Sequence, residues 1–501
     1  RIVRQLLTES TVLGLLGAGL GLAVAAWGVD LAVALLPEGA PRRQEIDIDG
    51  WVLAVGIGCS LFVSLLFGLA PALHAQVDNL HRGLQEGSAR ATSGRTRLRL
   101  RRALVVAEIA LAVVLVVGCG LMLRSFSRVQ EVDLGFDPEH LVTMQIELPE
   151  ATYRKSAQVV AAWERLESEV SRLPGVRSRT LMSGLPPYRQ PNSSDIHLFG
   201  VAQRSNGPIW NVDYWQIVGD DYFATMGIPI MEGRGFDEGD RVGAQPVVLV
   251  NQTMARKFWP GLDPIGRRVT LAGDADDPAQ TIVGVVADVK QAGVDKPTGS
   301  EIYVPMRLLA AMSDNDAQRL MYLVVRGEGD LMDLAGSVRR VVSRIDSSLA
   351  VAEVRTMDEI LWQAVARPRF FAVLMGGFAG IALLLAAIGT FGVIAYSISQ
   401  RTRELGIRMA LGARPRAVRW MVLREGMLLV VIGAGLGLAG AAALDVTLSR
   451  VLSEMLFGVA ALDPSTFVAV PLLIVAVGAF ACWLPAARAT RVDPILALRH
   501  D

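Results

Sequence analysis

Hydrophobic positions along this chain fall into two textures. Apolar runs of about 20 residues, enough to cross ~30 Å of hydrocarbon as a helix, occupy Thr11–Leu36, Trp51–Leu73, Ala103–Leu123, Phe370–Ile398, Met427–Leu448 and Phe467–Leu484. They predict six crossings. Between the third and fourth runs the texture becomes that of an ordinary folded domain. HLVTMQIELP (140–149) alternates as a strand does, and SAQVVAAWERLESEVSRL (156–173) carries apolar residues at helical spacing until Pro174–Gly175. LMYLVVRG (320–327), LMDLAGSVRRVVSRI (331–345) and LAVAEVRTM (349–357) repeat the theme as strand, helix and strand. Two split βαβ-like halves predict one mixed sheet backed by helices. The stretch Asp220–Ala310 has short strands, PVVLVN (246–251) and TIVGVVADV (281–289), broken by Gly, Asp and Pro, and reads as a β-rich insertion. The predicted fold class is an α-helical membrane protein with about six transmembrane helices and a large α+β domain outside the bilayer.

The segment TMDEILWQAVARPRFF (356–371) resumes helical periodicity into the fourth run. Pro368 predicts a kink or break just before it, because a helical proline removes a ladder hydrogen bond and clashes with the preceding turn.

One phrase occurs twice. GAGLGLA stands at Gly17–Ala23 and at Gly433–Ala439, and its flanks agree as well. Glu9 falls opposite Glu425, a second apolar run follows Asp49 in one copy and Asp463 in the other, and the copies end in PALHAQVDNL (71–80) and PAARATRVDPIL (485–496). This is a two-helix unit duplicated in the same orientation. Gly17 with Gly21 and Gly433 with Gly437 each form a small-xxx-small stripe, predicting close helix packing.

Composition fits a membrane protein: 52% hydrophobic, 20% charged and a mean hydropathy of +0.39. Lys+Arg and Asp+Glu are both 49, so only the placement of charge is informative. Arg90, Arg95, Arg97, Arg99, Arg101 and Arg102 crowd one inter-run segment, and Arg401, Arg403, Arg408, Arg414, Arg416, Arg419 and Arg424 another. The positive-inside rule places these segments and both termini in the cytoplasm, and residues 125–366 outside it. The chain opens on Arg1 within the repeat pattern and reads as a fragment, and its first run is too long for a signal peptide. Cys59, Cys119 and Cys482 all lie in apolar runs, which leaves no disulfide framework for the outer domain.

Chemistry-bearing motifs are sparse. No glycine is followed by lysine, which rules out a GxxxxGK[ST] phosphate loop, and the chain is expected not to be an enzyme and to bind no cofactor directly. His74, His81, His140, His197 and His500 form no HExxH pair, and neither a metal site nor a nucleic-acid partner is expected. There is no GxSxG elbow. Acidic clusters such as Asp274, Asp276 and Asp277 read as solvated turns. Glu108 lies about one and a half turns inside the third run and is expected to reach the interface and pair with Arg101 or Arg102. Asp30 and Asp445, near the outer helix ends, are expected to snorkel.

The segment RTRELGIRMALGARPRAVRWMVLREG (401–426) predicts a short amphipathic piece ending at Gly412 and Pro415. It reads either as a basic interfacial helix on lipid headgroups or as a docking element for a cytosolic partner. ELGIRMALGA, comprising Glu404, Leu405, Gly406, Ile407, Arg408, Met409, Ala410, Leu411, Gly412 and Ala413, resembles the coupling segment of FtsX-like, MacB-type permeases of ATP-binding-cassette systems. DYFATMGIPIMEGRGF (221–236), VVLVNQTMARKFWPGLDPIGRRV (247–269) and EIYVPM (301–306) are similar to the duplicated orphan permeases of acidobacteria. The resemblance implies that 1–74 are the last two crossings of a first permease unit, with that unit's other parts outside this sequence. It further implies a linker over 75–101, a crossing over 102–124, and an outer domain over 125–366, in which split parts 138–215 and 318–357 flank an insertion at 216–317. Three crossings with the coupling segment 401–416 then fill 367–501. The implied function is mechanotransmission in a bacterial inner membrane: a separate cytosolic ATPase binds Glu404–Ala413 and supplies the ATP, and work is done on the periplasmic side. A periplasmic adaptor or outer-membrane channel is a further implied partner. The alternative is a non-transporting signalling or scaffold protein of the cell envelope.

Overall fold

The structure is a computed structural model that describes residues 2–35, 47–64, 90–200, 210–237, 239–240, 243–271, 278–311, 317–401, 404, 407–409, 411, 413–447, 458–459 and 462–489. It divides into two compact units, Val129–Val365 on the one hand and Arg1–Arg128 with Ala366–Asp501 on the other.

The helical unit begins with α1 (Ile2–Leu35), α2 (Gly50–Ser64) and α3 (Arg90–Gln130). The segment expected as a linker over 75–101 is helical from Arg90 onward, in keeping with arginine's good helix propensity. Of the second predicted crossing only α2 is described, and the remainder of that run lies outside the described residues.

In the outer unit the chain runs β1 (Leu141–Glu147), α4 (Ser156–Ser171), β2 (Val176–Met182), β3 (Ser194–Leu198), β4 (Trp210–Val212), β5 (Tyr214–Val218), α5 (Tyr222–Met226) and β6 (Ile230–Gly233). It continues through β7 (Val247–Asn251), α6 (Gln252–Phe258), β8 (Arg268–Thr270), β9 (Gln280–Val286), β10 (Glu301–Pro305), β11 (Leu320–Gly327), α7 (Leu331–Ile345), β12 (Ala350–Thr356) and α8 (Met357–Ala364). The strand order is β12-β1-β11-β2-β5-β10-β7-β9-β8-β3-β4, with β6 paired to β9. β1 lies antiparallel to both β11 and β12, pairing Leu141 with Arg326 and Glu147 with Leu320 on one side. α4 buries Val159, Val160, Trp163, Leu166 and Val170, a helical stripe, and joins Val338 and Val342 of α7 over Val142, Met144, Ile146 and Leu323 of the sheet. Inside that layer the Trp163 indole N–H finds the carbonyl of Gln318 at 2.9 Å. Tyr222, Phe223, Met226, Met357 and Ile360 belong to a second apolar cluster with Val218, Tyr303 and Val324.

The β-rich part differs from expectation at its edges. β3 and β4, which the resemblance assigns to the split part 138–215, belong to the β-rich side, where β3 pairs with β8 and Ile196, Leu198 and Val212 enter the cluster of Val248, Val250, Trp259 and Ile282. The single pair Met182–Val218 joins β2 to β5 and so links the two groups of strands. Short edge strands take their partners from the apolar surface they cover, which local pattern does not specify.

After α8 the helix breaks at Val365 (φ −95°, ψ 5°), and α9 (Ala366–Gln400) begins. The break precedes Pro368 by three residues, so the proline sits in the first turn of α9, where its missing N–H has no intrahelical partner to lose. α10 (Pro415–Thr447) and α11 (Pro464–Ala489) complete the unit. Among the described residues five helices are long and apolar enough to cross a membrane: Thr8–Ala34, Arg99–Gln130, Ala366–Gln400, Pro415–Thr447 and Pro464–Arg488. One apolar cluster holds Ile109, Val113 and Val116 of α3, Ala379 and Ala386 of α9, Val430 and Ala434 of α10, and Ile474 of α11. Asp445 is buried, with Oδ1 lacking a hydrogen bond among the described residues, and so does not snorkel.

The duplicated unit is visible in detail. Asp49 accepts from the Val52 amide at 2.8 Å and Asp463 from the Thr466 amide at 2.9 Å, so each acid caps its following helix at the same place in the repeat. Four residues on, Leu53 and Phe467 donate to the carbonyls of Asp49 and Asp463. The crossing point of each pair is also shared, with its small residue exchanged. On α1 a Cβ at Gly14 would overlap the Ser64 hydroxyl of α2, and on α11 a Cβ at Gly478 would lie 2.6 Å from Val430 of α10. Residues 14 and 430 are equivalent in the repeat, as are 64 and 478.

Candidate coupling site

The stripe glycines of the two copies stand in different surroundings. A Cβ on Gly433 would fall 2.8 Å from Ile109 Cβ, and one on Gly437 would fall 2.6 Å from both the Ala110 carbonyl and Val113 Cβ, so α10 is pressed against α3. Gly17 and Gly21 have no atom within 4 Å of that position among the described residues.

Of the coupling segment, Leu405, Gly406, Ala410 and Gly412 lie outside the described residues. Glu404 and 407–409 are helical, and the Leu411 and Ala413 amides donate to the carbonyls of Ile407 and Arg408 at 3.0 Å. Glu404 and Arg408 form an i,i+4 ion pair at 2.5 Å, and an Arg408 guanidinium N–H reaches Met421 Sδ of α10 at 3.5 Å. Ile407, Arg408 and Glu404 face out, Met409 and Ala413 are half-buried, and Leu411 is 83% exposed. Leu411 lies outside every candidate apolar span, so burial in a membrane-crossing helix does not account for that exposure.

Beside the segment a small cleft is lined by Ser397 and Ile398 of α9, Arg401 just after it, Glu404, and Met421 and Glu425 of α10. Glu425, the counterpart of Glu9, shares its wall with the charges of Arg401 and Glu404. It pairs with Arg102 of α3 and, at 3.4 Å, with Arg401. Arg101 lies over the Tyr396 ring, 4.2 Å from its centroid. Three helices thus meet in one half-buried network, which no local pattern announces because Arg102 and Glu425 are 323 residues apart. Replacing Glu425 with Gln is expected to lower stability by about 1 kcal/mol, since two arginines lose one shared acceptor. A melt of the detergent-solubilised protein with added salt checks it: wild type falls toward the variant as the pairs are screened.

Both expected partners of Glu108 are therefore engaged elsewhere. Its carboxyl lies on Gly389 of α9 and forms no hydrogen bond or ion pair among the described residues. The helix turns Glu108 away from the side on which Arg102 meets α10, a matter of azimuth that distance along the sequence does not reveal.

In the outer unit the notable polar group is Glu301 of β10, 1% exposed, ion-paired to buried Arg189 at 3.1 Å. Gln291 donates to both its oxygens at 2.9 and 3.1 Å, and Tyr303 donates at 2.7 Å. Burial pushes Glu301 up to about 7 against the pull of Arg189. Ser300, Lys257 and Asp213 also converge, with the Ser300 hydroxyl donating to Asp213 at 2.6 Å and accepting from Lys257 at 3.1 Å. Ser300 is fully buried and its hydroxyl is saturated, so the trio pins two strands and offers no nucleophile. Among the described residues no three or more His, Cys, Asp or Glu side chains are grouped to hold a metal ion.

Comparison with known proteins agrees with this architecture. The family profile of the MacB-like periplasmic core domain matches residues 103–341, and that of the FtsX-like permease C-terminal matches residues 376–494. The pyoverdine export ATP-binding/permease protein PvdT of Pseudomonas syringae pv. tomato is 29% identical over 306 residues, 58% of this chain and 44% of that protein. The uncharacterized ABC transporter permease YvrN of Bacillus subtilis is 28% identical over 312 residues, 58% of this chain and 71% of that protein. The solved periplasmic region of MacB from Actinobacillus actinomycetemcomitans is 14% identical, covers 46% of this chain and 95% of that structure, and has a TM-score of 0.32. The chain spans less than half the length of the pyoverdine-export relatives it matches. Long apolar helices joined to a MacB-type periplasmic domain fit an inner-membrane protein with a large periplasmic portion. By the two domains that fill most of its length, this chain belongs to the FtsX-like, MacB-type permeases.

Proposed function

We propose that the chain is the membrane subunit of an ABC-type system, and that it transmits force from a separate cytosolic ATPase to its periplasmic domain for export or extraction of a substrate. The observation that carries this is Leu411, 83% exposed on a short helical segment outside the apolar spans. An apolar side chain so placed on a charged helix is the kind of knob that a partner's groove takes up. Behind it the cleft and the Glu425 network join the segment to α3, α9 and α10, so that a push on the segment reaches all three helices. ATP then acts only through the partner, and the periplasmic domain hands its motion to an adaptor or an outer-membrane channel.

The test is to purify the protein from native membranes in mild detergent and identify what accompanies it by mass spectrometry. An ATP-binding-cassette ATPase is expected in the wild-type preparation and absent from the Leu411→Asp variant, at unchanged yield and melting temperature. Recovery of the ATPase with both proteins would remove Leu411 from the docking surface. Recovery of envelope proteins with no ATPase from wild type would overturn the reading.

A further inference from the structure

Glu108 stands six residues beyond Arg102 on α3, roughly 9 Å along the helix axis and within the apolar span. A carboxylate at that depth needs a cation or several donors, because an ionised group in hydrocarbon without them is strongly disfavoured. Neither is within its reach. On α3 itself, Arg102 is held by Glu425 and Arg101 by the Tyr396 ring. α9 has no ionisable residue between Gly389 and Tyr396, and Arg401, just past its end, lies on Glu425. From α10 the nearest charges in sequence are Arg424 and Glu425, and the stretch 426–440 beyond them is Gly, Met, Leu, Val, Ile and Ala. α11 contributes Cys482, which is packed on Gly426, and Arg488, exposed in its last turn.

What Glu108 does meet is Gly389. A Cβ at that position would overlap Glu108 Oε2 and lie 3.2 Å from Cδ, so the absence of a side chain on α9 is what lets the carboxyl in. The adjacent hydroxyl, on Thr390, donates to the Ala386 carbonyl at 2.7 Å and is not available as a donor to the acid. Val105, Ile109, Ala386 and Val393 are buried around the same helix contact.

We propose that the Glu108 carboxyl is a proton-binding site within the membrane, and that the protonated acid is the form seated on Gly389. A neutral carboxyl can rest against the helix as a small polar group. Loss of the proton leaves a half-buried anion with no cation or donor among the described residues, which favours parting of α3 from α9 so that water can solvate it. Proton occupancy and the α3–α9 contact are then two readings of one equilibrium.

Dicyclohexylcarbodiimide, which modifies protonated carboxyls in apolar surroundings, tests this on the full chain in its native membranes with peptide mass mapping. Glu108 is expected to be modified near neutral pH, less so as the pH rises, and Glu425 is expected to stay unmodified. Failure to modify Glu108 at any pH in folded protein, or modification that ignores pH, would overturn the site. The seating is tested separately by Gly389→Ala, which is expected to displace the carboxyl and move the pH at which modification is lost. An unchanged profile in that variant would show that Gly389 does not seat the acid. Should Gly389→Ala fold poorly, the double variant with Glu108→Ala is expected to recover wild-type yield, and failure to recover it would equally count against the contact.

Discussion

Valine at Gly437 is expected to disrupt the helical unit, whereas valine at Gly21, the same position of the same heptapeptide, is expected to leave it unchanged. At Gly437 the obstacle is partly backbone: the added Cβ would meet the Ala110 carbonyl of α3, which no rotamer change can move aside. Overpacking of this kind costs typically 1–3 kcal/mol and more where backbone must shift. In an apolar bundle held by close packing that is a large fraction of the association energy. At Gly21 no described atom lies within 4 Å, and the change should stay within about 0.5 kcal/mol. Fluorescence-detected size-exclusion melts of the two variants, run side by side, decide it. Equal losses at both positions would mean that α1 also packs its stripe against a helix.

A comparably large effect is expected from Arg189→Met in the outer unit. The substitution keeps much of the side chain's volume but strips buried Glu301 of its cation, and breaking a buried pair on one side costs about 3–5 kcal/mol. The loss should be smaller in acid. Burial holds Glu301 at about 7 in the fold against 4.5 for the free side chain, so between those values the folded chain binds a proton that the unfolded chain has released. Stability from this group is therefore fullest below about 4.5 and declines as the pH rises toward 7. Without Arg189 the window extends upward. Hydrogen exchange of the β10 amides, followed by mass spectrometry across that range, should show protection falling with rising pH in wild type and more steeply in Arg189→Met. Protection that rises with pH in wild type would contradict the sign.

Much of this architecture is legible in the sequence, because it is carried by periodicity. β11 and α7 lie where alternation and helical spacing place them, as LMYLVVRG and LMDLAGSVRRVVSRI, and α4 ends just before Pro174. What resists local reading is partnership. GAGLGLA is identical at its two sites and is packed at one only, since the partner surface is supplied by α3. Arg102 lies close enough to Glu108 along the chain to pair with it, and pairs with Glu425 instead. β3 and β4 carry too little pattern to reveal which side of the domain they complete. The knob at Leu411 is likewise a statement about what is missing around a side chain, and no spacing rule reports that.

The exchange of small residues between the two helix pairs bears on how such a chain can be recombined. In one pair the room for the crossing comes from Gly14 on the first helix, in the other from Gly478 on the second. Transplanting a single helix between copies would set valine against serine in one chimera and glycine against glycine in the other, a clash and a void respectively. Moving both helices together preserves the fit. The hairpin is thus the smallest piece of this membrane unit that can be copied, shuffled or grafted intact, and each copy can drift in sequence only along paths on which its two halves compensate one another.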